Sequence, residues 1–416
     1  MRRGIYFGVT ILSSIQLAAQ DQRAVWDIPR LEEDTAKYSW LFTAESNFFA
    51  GSASLTNGFI NTLYLGGFID TEMKNQQYDR LSEKNVVGAA AGMRFGGQWQ
   101  DQKKSITHIT WADRRLIFNG SFPPDALRLA MDGNQQFKGQ TANADLTKFD
   151  YFSFTTFGYG QERSVFNNRL QVQWTAGLIL AHQYSSLQLD KARIHTDNLG
   201  LFVDMDVEGT FRTSDTASKK LTDINGTGIT AGLRLSGNWG TTTKFGWWAG
   251  VQDAGIISWN NKGYIYSVDT SYTYTGVLLP NDFLNSENVI ETPAIDSFYT
   301  ISSGSTYTAA LPLNVSGGVQ VRFNNGWYNA VQLHWWSTNP EQPMIRIHSG
   351  WMNYAGTFSA LSGISYGGYA ALQIPLSLRF TLMKKFTTGI HCDNIMALVS
   401  STSTGQGAFL QLAYRF

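Results

Sequence analysis

The sequence predicts a transmembrane antiparallel β-barrel of about 14 strands, all-β except for a short helix near residues 123–132. Three observations carry that expectation: a composition poor in charge and rich in aromatics, apolar and polar residues alternating with period two, and an alternating segment that ends on Phe416.

Charged residues make up 15% of the 416-residue chain and aromatics 14%, with 40 Gly against 9 Pro. A soluble domain carries about 25% charge, so the usual ionic surface is missing. Acidic and basic residues balance at 32 each, which removes the basic excess that a nucleic-acid partner requires. The mean hydropathy of −0.19 argues against a helical membrane protein. After residue 20 no stretch approaches the ~18 consecutive apolar residues that a spanning helix needs.

The N-terminus reads as an export signal over residues 1–19, leaving 20–416 as a barrel domain. Arg2 and Arg3 form a positive start, Ile5 to Leu17 a short apolar stretch, and Ala18-Ala19 the small residues before a cut. Cys392 is the lone cysteine, so no internal disulfide is possible.

Period-two alternation recurs along the chain. Leu170, Val172, Trp174, Ala176, Leu178 and Leu180 form one apolar row, and Ile229, Ala231, Leu233 and Leu235 another. Val319, Val321 and Phe323, then Val331, Leu333 and Trp335, then Leu376, Leu378, Phe380 and Leu382 repeat the pattern. Alternation puts one row on each face of a strand. The polar rows consist of Gln, Ser, Thr, Gly and isolated Arg, so the apolar rows are expected to face lipid and the polar rows a lumen. Trp327, Trp335, Trp336, Trp351 and Tyr354 fall near strand ends, where interfacial aromatic girdles sit. In the last segment Leu410, Leu412, Tyr414 and Phe416 share one face.

If Phe416 ends at the periplasmic side, parity places the turns at Asn324–Gly326, Asn353–Gly356 and Lys384-Lys385 there. The longer connections Ser337–Gln342, Leu398–Gln406 and Gly276–Ala310 then fall outside. The segment Pro123–Gly133 interrupts the strands with Pro at its start, Leu and Met at helical spacing and Gly after its end, which are helix start and stop signals.

Several features resemble a known group. These are the strand Ser105–Phe118 with Arg114 and Arg115, the helix after Pro124, and the run Gly133-Asn134, Phe137, Gly139 and Thr141-Ala142-Asn143. Gly228–Leu235, Asp253–Trp259 and His391–Ile395 add to them. Together they are similar to a family of exported outer-membrane β-barrels of unassigned role, distantly similar to the FadL/PorV class. The resemblance implies a barrel of about 14 strands with something closing its lumen, and no reaction. The Asn-Pro-Ala-Gly hatch motif of the fatty-acid transporters is absent from residues 45 to 65, which argues against lipid uptake.

The six histidines show no close metal-ligand spacing, and no catalysis or cofactor is expected. His334 and His348 fall on inward rows. His348-Ser349, and Asp393-Asn394 beside His391, are the nearest approach to a catalytic set, but adjacent strand residues face opposite ways. Asp204, Asp206 and Glu208 form an inward acidic row, and Arg234, Arg322, Arg346 and Arg379 lie on inward rows elsewhere. The seven are expected to pair across the lumen, since interior charge persists when compensated. A charged constriction that selects solutes is the other reading. The expected function is a passage for hydrophobic or small solutes. The alternative is a closed barrel serving as a membrane-embedded partner in a protein export or assembly machine. The expected partners are outer-membrane lipid, the barrel-assembly machinery during insertion, and a protein of such a machine.

Overall fold

The structure, a computed structural model, describes residues 40–101, 105–166, 169–214, 223–239, 244–275, 299–304, 306–353, 357–383 and 385–416. The signal-peptide expectation for residues 1–19 lies outside them, as do Tyr354, Lys384 and residues 276–298.

Among the described residues, 14 barrel strands run antiparallel in sequence order and close on themselves. They are β1 (Trp40–Ser52), β2 (Asn85–Asp101), β3 (Ile106–Phe122), β4 (Thr147–Val165) and β5 (Leu170–Thr196). Next come β6 (Val203–Thr213 with Gly226–Trp239), β7 (Lys244–Trp259 with Tyr264–Tyr274) and β8 (Tyr299–Ser303, Tyr307–Ala310 and Asn314–Arg322). β9 (Trp327–Trp336), β10 (Asn339–Met352), β11 (Phe358–Gly367), β12 (Ala370–Gln373 with Leu376–Leu382), β13 (Phe386–Cys392) and β14 (Gln406–Arg415) complete the wall. β14 pairs with β1 from Leu41↔Arg415 to Ala50↔Gln406, so no edge is left open.

Burial follows the pleat. In β9 exposed and buried residues alternate almost without exception, with Val331 and Leu333 outside and Gln332 and His334 inside. The outward residues make an apolar belt that includes Met93, Leu178, Ile229, Val319, Ile347, Ile390 and Leu410. Trp40, Trp99, Trp327, Trp351 and Tyr414 gather near the end that carries Phe416, Trp40 stacking on Trp99 at 5.3 Å. A closed ladder with an apolar outer band and an aromatic girdle is an outer-membrane barrel in contact with lipid.

Phe416 and Trp40 meet at one end, where the amide of Phe416 donates to the carbonyl of Trp40. The short connections β8–β9, β10–β11 and β12–β13 lie at that same end, as parity requires. At the opposite end, which the longer connections mark as the extracellular one by the asymmetry of such barrels, one expectation needs correction. Ser337–Gln342 is not a long loop, because β10 begins at Asn339 and pairs at once with Trp336. Pro340 and Pro343 lie on β10 in the stretch opposite Trp335, where the register shifts between His334 and Trp336 and a missing N–H costs no ladder bond. Trp336 is also no girdle residue. It turns inward and lies 6.3 Å from the ring of Tyr369.

β5 holds 27 residues, roughly 90 Å of chain at about 3.4 Å per residue. That is far more than a tilted strand needs to cross a ~25 Å apolar band. Its upper part pairs with Val203–Thr213, which pairs in turn with Tyr264–Tyr274, and this ribbon projects beyond the belt.

Three helices stand at the extracellular end: α1 (Asn57–Leu65), α2 (Thr71–Tyr78) and α3 (Pro124–Asp132). α3 is the expected helix, with Pro124 in its first turn and Gly133 at φ 73° after its end. α1 and α2 were hidden from periodicity by their shortness. Their starts are nonetheless capped, Thr56 accepting from the Phe59 amide and Asp70 from the Met73 amide. All three pack through Phe59, Met73, Leu127 and Met131 onto Val87, Phe122 and Phe149. Gly88 faces the lumen, so its neighbour Val87 faces out, and the helices form a collar against the outer wall.

Candidate functional site

The lumen is crossed by an ion pair. Arg115 on β3 reaches Asp253 on β7 in a fork, Nη1 to Oδ2 and Nη2 to Oδ1, both at 2.7 Å. Its Nε lies 3.2 Å from Asp113 Oδ2, near enough for charge attraction but not aligned for a hydrogen bond. The ring of Phe154 lies beneath the guanidinium, 4.9 Å from centroid to Cζ. Two parallel bonds between planar groups fix both side chains in one geometry.

Backbone irregularity aims Asp253. Between β6 and β7 the register shifts from Ala231↔Ala254 to Leu233↔Val251, so Gln252 and Asp253 together oppose Gly232. Asp253 takes φ 59°, the left-handed region, which a non-Gly residue enters at a cost. The bulge turns both Gln252 and Asp253 toward the interior cavities.

The bridge separates two small cavities. The extracellular one, about 40 Å³, is lined by Asn47, Ile117, Asn119, Pro312, Trp336 and Tyr369 among others. The periplasmic one, about 80 Å³, is more polar and is lined by Arg94, Trp111, Thr156, Gln173, Thr230 and Gln252. Arg115 and Asp253 border both. Tyr369, on the hairpin between β11 and β12, roofs the upper cavity. Its hydroxyl donates to Asn119 Oδ1 at 2.7 Å and pairs with Thr338 at 2.7 Å. The roof fits because position 88 is Gly, where a Cβ would stand 2.4 Å from the Tyr369 ring. On the β4–β8 side Phe152, Phe154, Tyr184, Ile257 and Trp259 fill the interior at the same end.

A second buried cluster lines the wall of β10–β13. Arg346 Nη2 lies 3.2 Å from Asp393 Oδ1, and His391 Nε2 lies 3.2 Å from the same oxygen. His391 Nδ1 is 2.6 Å from Ser377 Oγ. The connectivity is that of a Ser-His-Asp set. All of its members are buried, Arg346 neutralises the carboxylate, and neither cavity described above reaches Ser377. The arrangement ties β10, β12 and the end of β13 together within the wall. His348 faces inward and Ser349 outward, so they are no pair.

The seven residues expected to form one network are spread over the barrel. Asp204 and Asp206 lie in the projecting ribbon, where Asp204 accepts from Thr273 at 2.6 Å and Asp206 pairs with Lys191 and Ser271. Glu208 stands beside them, exposed, opposite Lys191 and Asp269. Arg234 lies low on β6, opposite Gln173 and Gly250. Arg346 belongs to the Asp393 cluster, while Arg322 and Arg379 both act electrostatically on Tyr328. The bridge itself joins residues that sequence reasoning did not single out for the lumen. Arg115 appeared only within a family-like strand, and Asp253 only at the head of an apolar one. Arg114, its neighbour, faces outward and donates to Ser153 and Thr155.

A model of a family of unknown function, DUF5723, matches residues 18–392. The chain belongs to that family. No curated protein matches it. Among solved structures it is similar to the P. putida toluene transporter TodX, at 8% identity and a TM-score of 0.43, over 91% of this chain and 90% of that one. It is also similar to a Pseudomonas aeruginosa FadL homologue, at 9% identity and 0.39, over 91% and 90%. The translocator domain of the autotransporter NalP from Neisseria meningitidis shows 9% identity and 0.34, over 95% and 96%. The barrel is established by this chain's own closed ladder, and these likenesses add nothing on what it does.

Proposed function

We propose that this DUF5723 barrel is a gated passage for small or hydrophobic solutes, closed by the Arg115–Asp253 bridge and roofed by Tyr369. The observation that supports it is the pair of cavities bordered by the same two side chains. A wall built only to be filled has no need of a strained bulge that aims one carboxylate at one guanidinium. Ion pairs break and re-form when a solute or a field supplies other partners, whereas packed aliphatic cores do not. The upper cavity, at about 40 Å³, holds little more than water, so a solute with an apolar body and a small polar end would pass between Ile117, Pro312, Trp336 and Tyr369 only once the roof and bridge move apart.

Proteoliposome swelling tests this reading. Tyr369→Ala combined with Asp253→Asn opens the roof and weakens the bridge together and should speed entry of small uncharged solutes relative to wild type. Equal, negligible swelling by both proteins, with each barrel shown intact by heat-modifiable migration, would overturn it.

The projecting ribbon of β5–β8 favours a second reading, a closed barrel that docks a protein outside the membrane. Leu199 and Leu201 stand exposed at its tip. Removing residues 198–201 should then abolish a stoichiometric partner in native membranes while leaving swelling unchanged.

A further inference from the structure

The last residues of α1 and the connection to α2 expose five consecutive residues, Tyr64 to Phe68, and among them Leu65 is 76% and Phe68 86% exposed. From Thr56 to Ile69 the chain carries no charge. Its level can be placed from the wall behind it. A strand tilted by about 40° climbs roughly 2.6 Å per residue, so a ~25 Å band takes about ten residues. Counting up β2 from Trp99 in the lower girdle brings the upper edge of the band to the neighbourhood of Ala89. Val87, on which the collar packs, is the next outward residue above it.

A second loop reaches the same rim. The turn after β13 carries a short helix, Ile395–Leu398, and leaves Leu398 77% and Val399 78% exposed. The two loops are joined, the amides of Asn57 and Gly58 donating to the carbonyls of Ser403 and Ser401 at 2.8 Å. Below them the patch runs into the lipid-facing belt through outward residues such as Leu372. Exposed aliphatic and aromatic side chains at this level, on two loops braced against each other and continuous with the belt, match one medium.

We propose that Leu65, Phe68, Leu398 and Val399 insert into the acyl region of the outer leaflet, so that the collar is a lipid-contact element and not an aqueous loop. The charged residues of the collar are largely engaged: Lys74 and Tyr78 both donate to Asp132 between α2 and α3, Arg80 donates to the carbonyl of Thr402, and Asp70 caps α2. This inference stands on the barrel's place in the membrane and is independent of any passage through it.

Spin-label accessibility tests it. With Cys392 replaced by Ser, Phe68→Cys is labelled with a nitroxide in the full-length protein reconstituted in bilayers, and Leu65→Cys serves as a second site. Ile347→Cys on the belt and Leu199→Cys at the ribbon tip, itself 79% exposed, are the lipid and water references. Collision with oxygen should exceed collision with a water-soluble nickel chelate at positions 68 and 65, as at 347. The reverse ratio, as at 199, overturns the proposal. Shielding from both reagents, which would mean contact with protein, also overturns it.

Discussion

Replacing Asp253 with Asn removes one charge from the bridge and changes little else in shape. In the fork both N–O distances are 2.7 Å, and the two side chains are 9% and 14% exposed, so salt screens the pair only weakly. A hydrogen bond to a charged group contributes about 1.5–3 kcal/mol. Asn keeps one acceptor, so about 2 kcal/mol of the closed arrangement is lost. At 1.36 kcal/mol per factor of ten, the open-to-closed ratio should rise by about 30-fold. Single-channel recording in planar bilayers measures that ratio as open probability. A double-mutant cycle with Arg115→Met should be strongly non-additive, since either change alone breaks the same bridge. An Asp253→Asn barrel that folds, resists mild detergent and stays as silent as wild type would refute the reasoning. So would full additivity with Arg115→Met.

Other expectations follow from single positions. Gly88→Ala puts a Cβ 2.4 Å from the Tyr369 ring and should cost about 1–3 kcal/mol by overpacking, read as a lowered heat-modification midpoint. Arg346→Met leaves Asp393 with His391 but without its buried cation and should cost about 3–5 kcal/mol in urea unfolding, whereas swelling should be unaffected. Ile347→Lys, on the lipid face, should destabilise by about 2–4 kcal/mol in bilayers if it lies near mid-depth. Asp132, at the end of α3, is held below the usual carboxylate range by the Lys74 hydrogen bond and then by the bond from Tyr78. Its folded value is depressed, so its contribution is complete above about pH 4, the unfolded carboxylate value, and is lost as pH falls through the lower folded value. Hydrogen-exchange protection of α3 should therefore fall below about pH 4. In Asp132→Asn protection should already be reduced above about pH 4, and this pH dependence should disappear.

The sequence by itself determined the architecture. Alternation with period two selects a face for every residue of a strand, and a chain with little charge and many outward Ile, Leu and Val has only lipid to face. Parity then ordered the connections of the C-terminal half, and Pro124 with Gly133 bounded α3. The identity of the bridge was not legible. Arg115 and Asp253 are 138 residues apart, and their meeting depends on closure of the barrel and on one extra residue in β7. Such a bulge shifts parity by one, and nothing in the local pattern of Gln252-Asp253-Ala254 announces it. The acidic row Asp204, Asp206 and Glu208 shows the converse. Its alternation was real, but the strand that carries it runs past the belt into the ribbon, so those carboxylates meet Lys191, Ser271 and Thr273 instead of a distant arginine. A pleat tells which way a side chain points. Only the closed tertiary structure decides what lies opposite it, because register, bulges and strand height are set by neighbours far away in the chain.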